Sequence, residues 1–127
     1  MKYSKGELVY LDTDGDTLHF LASPLEVEGF DCAIIELTGK INGGIKKDEP
    51  LFLCSDLCKD GFVGTIKLPV LRRIIRNSSG FIQPFLHVSW IRVMRPSITT
   101  IRLYITNIKG EIISLGNSKL TCTLLFV

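Results

Sequence analysis

The stretch Thr99-Thr100-Ile101-Arg102-Leu103-Tyr104-Ile105-Thr106 decides the fold class of this chain. After Thr99 its odd-numbered residues are all aliphatic, whereas its even-numbered residues are Thr, Arg and Tyr. A period of two places alternate side chains on opposite faces of a β-strand, one apolar and one polar. Asn107-Ile108-Lys109-Gly110 then supplies turn residues, so the sequence predicts a hairpin that returns through Glu111–Leu115.

The same alternation recurs toward both ends of the chain. Glu7–Leu11 and Thr17–Leu21 flank Asp14-Gly15, a dipeptide that tight two-residue hairpin turns favour. Residues 120 to 127 alternate again after the turn-forming segment at 116–118. The sequence therefore predicts an N-terminal hairpin and a final strand at residues 120–127.

Further short runs between these segments are rich in β-branched and aromatic residues, and Gly, Pro, Asp or Ser bounds each of them. They are residues 32–37, 51–54, 64–68 and 85–91. Val70–Ile75 fits either a short helix or a strand, because six residues are too few to separate the two periods. About eight to nine short strands without strand–helix alternation predict an all-β fold that spans residues 1–127 as a single domain, an antiparallel sandwich or a barrel, of which we favour the sandwich.

The composition restricts the classes of partner. Fifteen basic and 13 acidic residues give a formal charge of +2, which indicates no polyelectrolyte partner, and we expect no nucleic acid. No apolar run approaches the ~20 residues of a spanning helix, so we expect no membrane partner. The hydrophobic fraction of 46% fits a domain of this size, but the mean hydropathy is high for a free-standing soluble monomer. Either the core is large for the chain length or some apolar surface is kept for partners, and we favour the second.

The cysteines are Cys32, Cys54, Cys58 and Cys122. Because the first residues lack the apolar segment of a secretory signal, we expect an intracellular location and reduced thiols. Cys54 and Cys58 form one close pair of possible zinc ligands, with His87 or Cys122 as further donors, but structural zinc sites usually combine two such pairs. The sequence favours cysteines that act as small apolar core residues, and it predicts no metal.

A calcium loop is disfavoured by spacing. Asp12, Asp14 and Asp16 resemble the start of such a loop, which requires Gly at its sixth and Glu at its twelfth position. Here Gly15 is fourth and Ser23 is twelfth, so a solvated turn is the better interpretation.

A catalytic site is disfavoured as well. His19 and His87 both lie within predicted strands, and neither adjoins a glycine-framed serine or cysteine nucleophile. No glycine-rich phosphate loop or metallohydrolase motif is present. We therefore expect a protein that is not an enzyme and that carries no cofactor.

Arginines make the C-terminal half basic: Arg72, Arg73, Arg76, Arg92, Arg95 and Arg102. Such residues can bind nucleic-acid phosphates, or they can pair with carboxylates at protein interfaces, where arginine is enriched. Aromatic residues are not interleaved with them as a single-strand stacking surface requires. The pattern favours a protein interface.

A family resemblance rests on several segments. They are Pro50–Cys58, Phe62-Val63-Gly64, Leu68–Ile74, the block 101–116 with the strand 120–126, and, upstream, 21–30 with 33–37. Together they resemble the penton-like minor capsid proteins of Maverick/Polinton elements and adinto-type viruses. The resemblance implies a single jelly-roll subunit that assembles, in that family as a pentamer at capsid vertices. The chain departs from the family in having Phe30 where Trp is usual and only a short Gly- and Lys-rich loop before Leu51.

The sequence thus predicts a structural protein whose partners are copies of itself, as a homo-oligomer that would be pentameric if it follows that family, or other capsid proteins. The residues expected at its contacts are Lys46, Lys47, Asp48, Arg72, Arg73, Arg76, Trp90 and Arg92. Trp90 fits the sandwich core equally well. The expected location is the virion, or otherwise the cytoplasm or nucleus. The alternative function is a β-sandwich binding module for a protein, peptide or carbohydrate ligand.

Overall fold

The computed structural model describes residues 6–41, 49–74, 81–82 and 88–127. All regular secondary structure in these residues is β. The strands are β1 Glu7–Thr13, β2 Asp16–Glu26, β3 Asp31–Lys40, β4 Leu51–Ser55, β5 Gly61–Val63, β6 Ile66–Leu68, β7 Val70–Ile74, β8 Phe81–Ile82, β9 Ile91–Arg92, β10 Ser97–Thr106 and β11 Leu120–Phe126.

Two antiparallel sheets contain most of these strands. The β1 sheet has the order β1-β11-β3-β8, and β9 also pairs with β3; the β2 sheet has the order β2-β10-β4-β7. β5 and β6 form a small separate hairpin. β1 pairs with β11, β2 with β10, β3 with β8 and β9, and β4 with β7, so the first four strands pair with later strands in reverse order. This is the pairing of a jelly roll. The prediction of an all-β, antiparallel, jelly-roll-like sandwich is confirmed.

The core lies between the two sheets. In β10, the aliphatic residues of the alternating stretch, Ile101, Leu103 and Ile105, have no exposed surface. Leu124 and Phe126 of β11 are equally buried in the facing sheet. Each fully buried side chain of this kind contributes roughly 1.5–3 kcal/mol to folding.

The predicted N-terminal hairpin is wrong, because β1 and β2 belong to different sheets. Asp14-Gly15 instead carries the chain from one sheet to the other. The Ile105 amide donates to the Gly15 carbonyl at 2.8 Å, and the Leu115 amide donates to the Asp14 carbonyl at 2.8 Å. The dipeptide correctly indicated a tight turn. The turn residues do not determine whether β1 and β2 pair with each other or with other strands.

The segment after β10 also differs from the prediction. Asn107 organises the expected turn, since its Oδ1 accepts from the Lys109 and Glu111 amides at 2.9 and 3.0 Å. The returning residues 111–115 form only a single bridge, between Thr106 and Ile112, in place of a strand. β11 then crosses to the β1 sheet.

The ambiguous segment 70–75 is resolved as a strand for its described residues, Val70–Ile74. The predicted strand 85–91 is not formed at residues 88–90, and only Ile91 belongs to β9; residues 85–87 lie outside the described residues.

Candidate functional site

The predicted contact residues that the structure describes do not converge on one surface. Lys46, Lys47, Asp48 and Arg76 lie outside the described residues. Arg72 is half-buried and Arg73 exposed in β7, at one edge of the β2 sheet. Trp90 is half-buried, and the neighbouring Arg92 is exposed and donates through Nε to Asp31 Oδ1 at 2.9 Å. Trp90 and Arg92 therefore belong to the β1 sheet side of the sandwich, apart from the two arginines of β7.

Large apolar side chains are exposed at several other positions. They are Leu8, Tyr10, Leu18, Phe20, Phe62, Met94, Ile108 and Ile112. Phe20 is the most exposed, at 77%, and Leu18, on the same strand, is 49% exposed. An apolar group on an outer sheet face gains nothing from the core, so these positions are candidates for contact with a partner.

Strand register aligns three of these side chains in a row. Residues directly opposite each other in an antiparallel pair share a face. Leu18 lies directly opposite Arg102 of β10, and Phe20 lies opposite Thr100. Ile112 lies opposite Thr106, farther along the same strand. We call Leu18, Phe20 and Ile112 the β2 row. It runs along one side of the outer face of the β2 sheet.

An ion pair fixes the polar centre of this face. Arg102 donates to both carboxylate oxygens of Asp16, from Nε at 2.9 Å and from Nη2 at 2.8 Å, and its guanidinium lies 4.6 Å from the centre of the Tyr104 ring. The hydrogen bond from Arg102 lowers the pKa of Asp16, and the same bond raises the pKa of Arg102. Because both side chains are partly exposed, the pair contributes about 0.2–1 kcal/mol to stability. Its two-point geometry holds the arginine in one orientation beside the row.

A second candidate feature is an apolar pocket on the outer face of the β1 sheet. Its volume is about 330 Å³, and its described lining consists of Gly6, Leu8, Ile35, Val88 and Leu125. Leu8 and Leu125 lie directly opposite each other in the β1–β11 pair. The volume is at the lower end of the range for small-molecule pockets, and the apolar lining suits an aliphatic or aromatic group.

The three aspartates at the β1–β2 turn have separate partners. Lys119 Nζ lies 3.7 Å from Asp12 Oδ2, Thr17 donates to Asp14 at 3.3 Å, and Asp16 pairs with Arg102. Within the described part of the chain, no group of three His, Cys, Asp or Glu side chains is placed to hold a metal ion.

The thiols are held in their protonated form by the core. Burial raises the pKa of Cys32 and of Cys122 to about 12 and that of Cys54 to about 11, and it raises the pKa of Cys58 as well. Since the thiolate is the nucleophile, we expect these side chains to react slowly in the folded state. His19, the histidine in the described residues, has Nε2 2.7 Å from the Asp12 carbonyl oxygen.

The β2 row was not selected from the sequence, although a signal for it was present. A strand with one solvated face alternates apolar and polar residues. Leu18-His19-Phe20-Leu21 is apolar on both faces, with Leu18 and Phe20 on one and Leu21 on the other. Such an excess of apolar residues in a half-buried strand indicates a second contact surface.

The fold defines the chain as a jelly-roll β-sandwich. Comparisons with protein-family models, with curated proteins and with solved structures found no match to it. The resemblance to penton-like minor capsid proteins stays a prediction. Among the described residues, no helix has the length and apolar character needed to cross a bilayer.

Proposed function

We propose that the chain is a structural subunit that packs against copies of itself, or against other capsid proteins, in a capsid-like assembly. The observation that carries the proposal is the β2 row, which presents exposed apolar side chains on a rigid sheet beside a fixed arginine. The jelly-roll topology supports it, because this fold is widely used for viral capsid domains. Aromatic and arginine side chains also dominate interface energetics.

The size of the row indicates what such a contact would require. Fully burying a phenylalanine side chain contributes roughly 1.5–3 kcal/mol, so burying the exposed 77% of Phe20 contributes about 1–2 kcal/mol. A stable interface buries about 800 Å² on each partner, and association costs several kcal/mol of rigid-body freedom. The row therefore supplies the centre of a contact, and neighbouring polar surface supplies its rim.

Size-exclusion chromatography with light scattering, over a range of concentrations, tests the proposal. We expect a discrete oligomer that Phe20→Ser converts toward monomer. Phe62→Ser is the matched control, since Phe62 is 73% exposed but lies on the separate β5–β6 hairpin. A wild-type chain that stays monomeric at high micromolar concentration contradicts the proposal.

The apolar pocket favours a second candidate function, a binding module for a peptide with an apolar anchor side chain. The pocket residues are suited to a leucine or phenylalanine side chain and offer little to a carbohydrate, which needs polar partners. Titration with N-acetyl-leucinamide should shift the methyl NMR signals of Leu8, Ile35 and Leu125, and N-acetyl-serinamide serves as the control. Unchanged methyl signals at millimolar N-acetyl-leucinamide contradict this function.

A further inference from the structure

The two outer strands of the β2 sheet differ in direction and in charge. β2 and β7 are the terminal strands of this sheet, with no further strand beside either in the described residues. The four strands alternate in direction, so β2 and β7 run in opposite directions. A second copy displaced sideways, with its β2 sheet in line, therefore places its β2 antiparallel to β7 of the first copy.

The backbone of β2 is prepared for such pairing over five residues. β2 keeps regular register with β10 from Asp16 to Phe20, and the register then shifts. The Ile105 amide donates to the Gly15 carbonyl, and the Arg102 amide donates away from β2, to Asp56 Oδ1 at 3.1 Å. Because hydrogen-bonded and non-hydrogen-bonded pairs alternate along an antiparallel ladder, the N–H and C=O of Leu18 point to the free edge. β7 also spans five residues, Val70–Ile74.

Charge on the two edges is complementary. β7 carries Arg72 and Arg73, and Arg73 is exposed with no ion pair to any described carboxylate. The turn before β2 carries the exposed Asp14, and β2 begins with Asp16, whose carboxylate already holds Arg102. Attraction for Arg73 at this edge therefore rests mainly on Asp14, whereas like charges here would repel.

We propose that β7 of one copy pairs antiparallel with β2 of the next, so that the β2 sheet continues from subunit to subunit. This inference rests on the proposed self-assembly and adds a contact between strand edges to that of the β2 row. With Arg73 opposite Asp16, the register shift in β7 brings Val70 opposite Leu18. Arg73 then shares the Asp16 carboxylate with Arg102, and Val70 and Leu18 form an apolar pair on the same outer face. The contact joins two different surfaces, so repetition gives a closed ring, or a filament if the rotation does not close.

Two variants each break one edge. Leu18→Pro removes the N–H that faces the free edge and leaves the ladder to β10 intact, since proline is tolerated on edge strands. Arg73→Glu reverses the charge of β7. Lys59→Glu, an exposed charge reversal elsewhere, is the matched control for Arg73→Glu. Leu18→Ala keeps the N–H and loses only the side-chain contact, so it should weaken association less than Leu18→Pro does. Circular dichroism checks that each variant is folded, and Leu18→Lys replaces Leu18→Pro if the proline variant does not fold.

Light scattering on single variants and on their mixture gives the decisive result. We expect Leu18→Pro and Arg73→Glu to weaken association at least tenfold and to be monomeric when alone. Their equimolar mixture should form a heterodimer and nothing larger, because it contains one intact β2 edge and one intact β7 edge. If both variants assemble as the wild type does, or if the mixture stays monomeric, the edge pairing is wrong while self-assembly stands. A monomeric wild type refutes self-assembly itself.

Discussion

At the residue scale, Gly15 combines an unusual backbone angle with close surroundings. Its φ is 132°, and a Cβ at this position would lie 2.5 Å from the Ile113 carbonyl oxygen. We expect Gly15→Ala to lower the free energy of unfolding by more than about 2 kcal/mol, because the backbone strain of a side chain at positive φ adds to the steric clash with Ile113. Urea denaturation measures the change.

Gly29 provides the matched control for that substitution. It has a φ of 76°, but an added Cβ would meet no atom within 4 Å. Gly29→Ala should therefore cost only the backbone term of about 1–2 kcal/mol. Equal losses for the two variants would show that the contact with Ile113 is unimportant.

The buried thiols give a second prediction at this scale. Because the pKa of Cys32 and of Cys122 is raised to about 12, almost no thiolate forms in the folded protein at pH 8. We expect iodoacetamide to label the native chain at less than about one hundredth of the rate seen in urea, where all four cysteines react. Mass spectrometry counts the labels, and rapid native labelling would contradict the buried positions.

The raised thiol pKa values also make the free energy of unfolding fall at alkaline pH. The ordinary thiol pKa is 9.0, so above that pH the unfolded chain loses protons that the folded chain retains. The contribution of these thiols to the free energy of unfolding is therefore fully present below pH 9 and is lost as the pH rises toward 12. Unfolding at pH 8 and pH 10.5, for the wild type and for Cys122→Ala, should show a smaller pH-dependent loss in the variant.

At the element scale, β10 and β11 are interior strands, and they lie next to β2 and β1, the terminal strands of the two sheets. β10 is paired on both sides over much of its length, by β2 and β4, and β11 is paired on both sides by β1 and β3. Hydrogen exchange should be slowest in these two strands and faster in β1 and β2, which have a free edge. Exchange that is fastest in β10 or β11 would contradict the observed sheet order.

Individual strands could be predicted from the sequence, but the order of the strands in the sheets could not. The alternation in residues 99–106 and 120–126 was sufficient to identify β10 and β11, because a period of two reflects the geometry of one strand alone. Which strands become neighbours depends on packing between distant parts of the chain, and Asp14-Gly15 contained no information about that. The exclusion of helix at residues 70–74 also required the tertiary pairing of β7 with β4.

The candidate site was harder to predict for the same reason. Arg72 and Arg73 were selected by residue type, and they do lie at a sheet edge. Leu18 and Phe20 were assigned to a strand but not to a surface, because the sequence does not show which face of β2 meets the core. Only the register with β10 separates the two faces.

At the scale of the whole molecule, the jelly roll joins residues that are far apart in sequence. Arg102 pairs with Leu18, and Leu125 pairs with Leu8. Folding rates fall as the separation of contacting residues grows, so we expect refolding in milliseconds to seconds. Stopped-flow tryptophan fluorescence measures it through Trp90, and refolding in microseconds would argue against this topology.

The β1–β11 pair has a mechanical consequence. Glu7 lies opposite Phe126, so tension applied between these two residues opens the hydrogen bonds of the pair one after another, like a zipper. Strands pulled lengthwise past each other resist more, since all their bonds carry the load together. The sandwich is therefore soft toward force at these two points, and β1 would peel away while the β2 sheet on the far side stays intact.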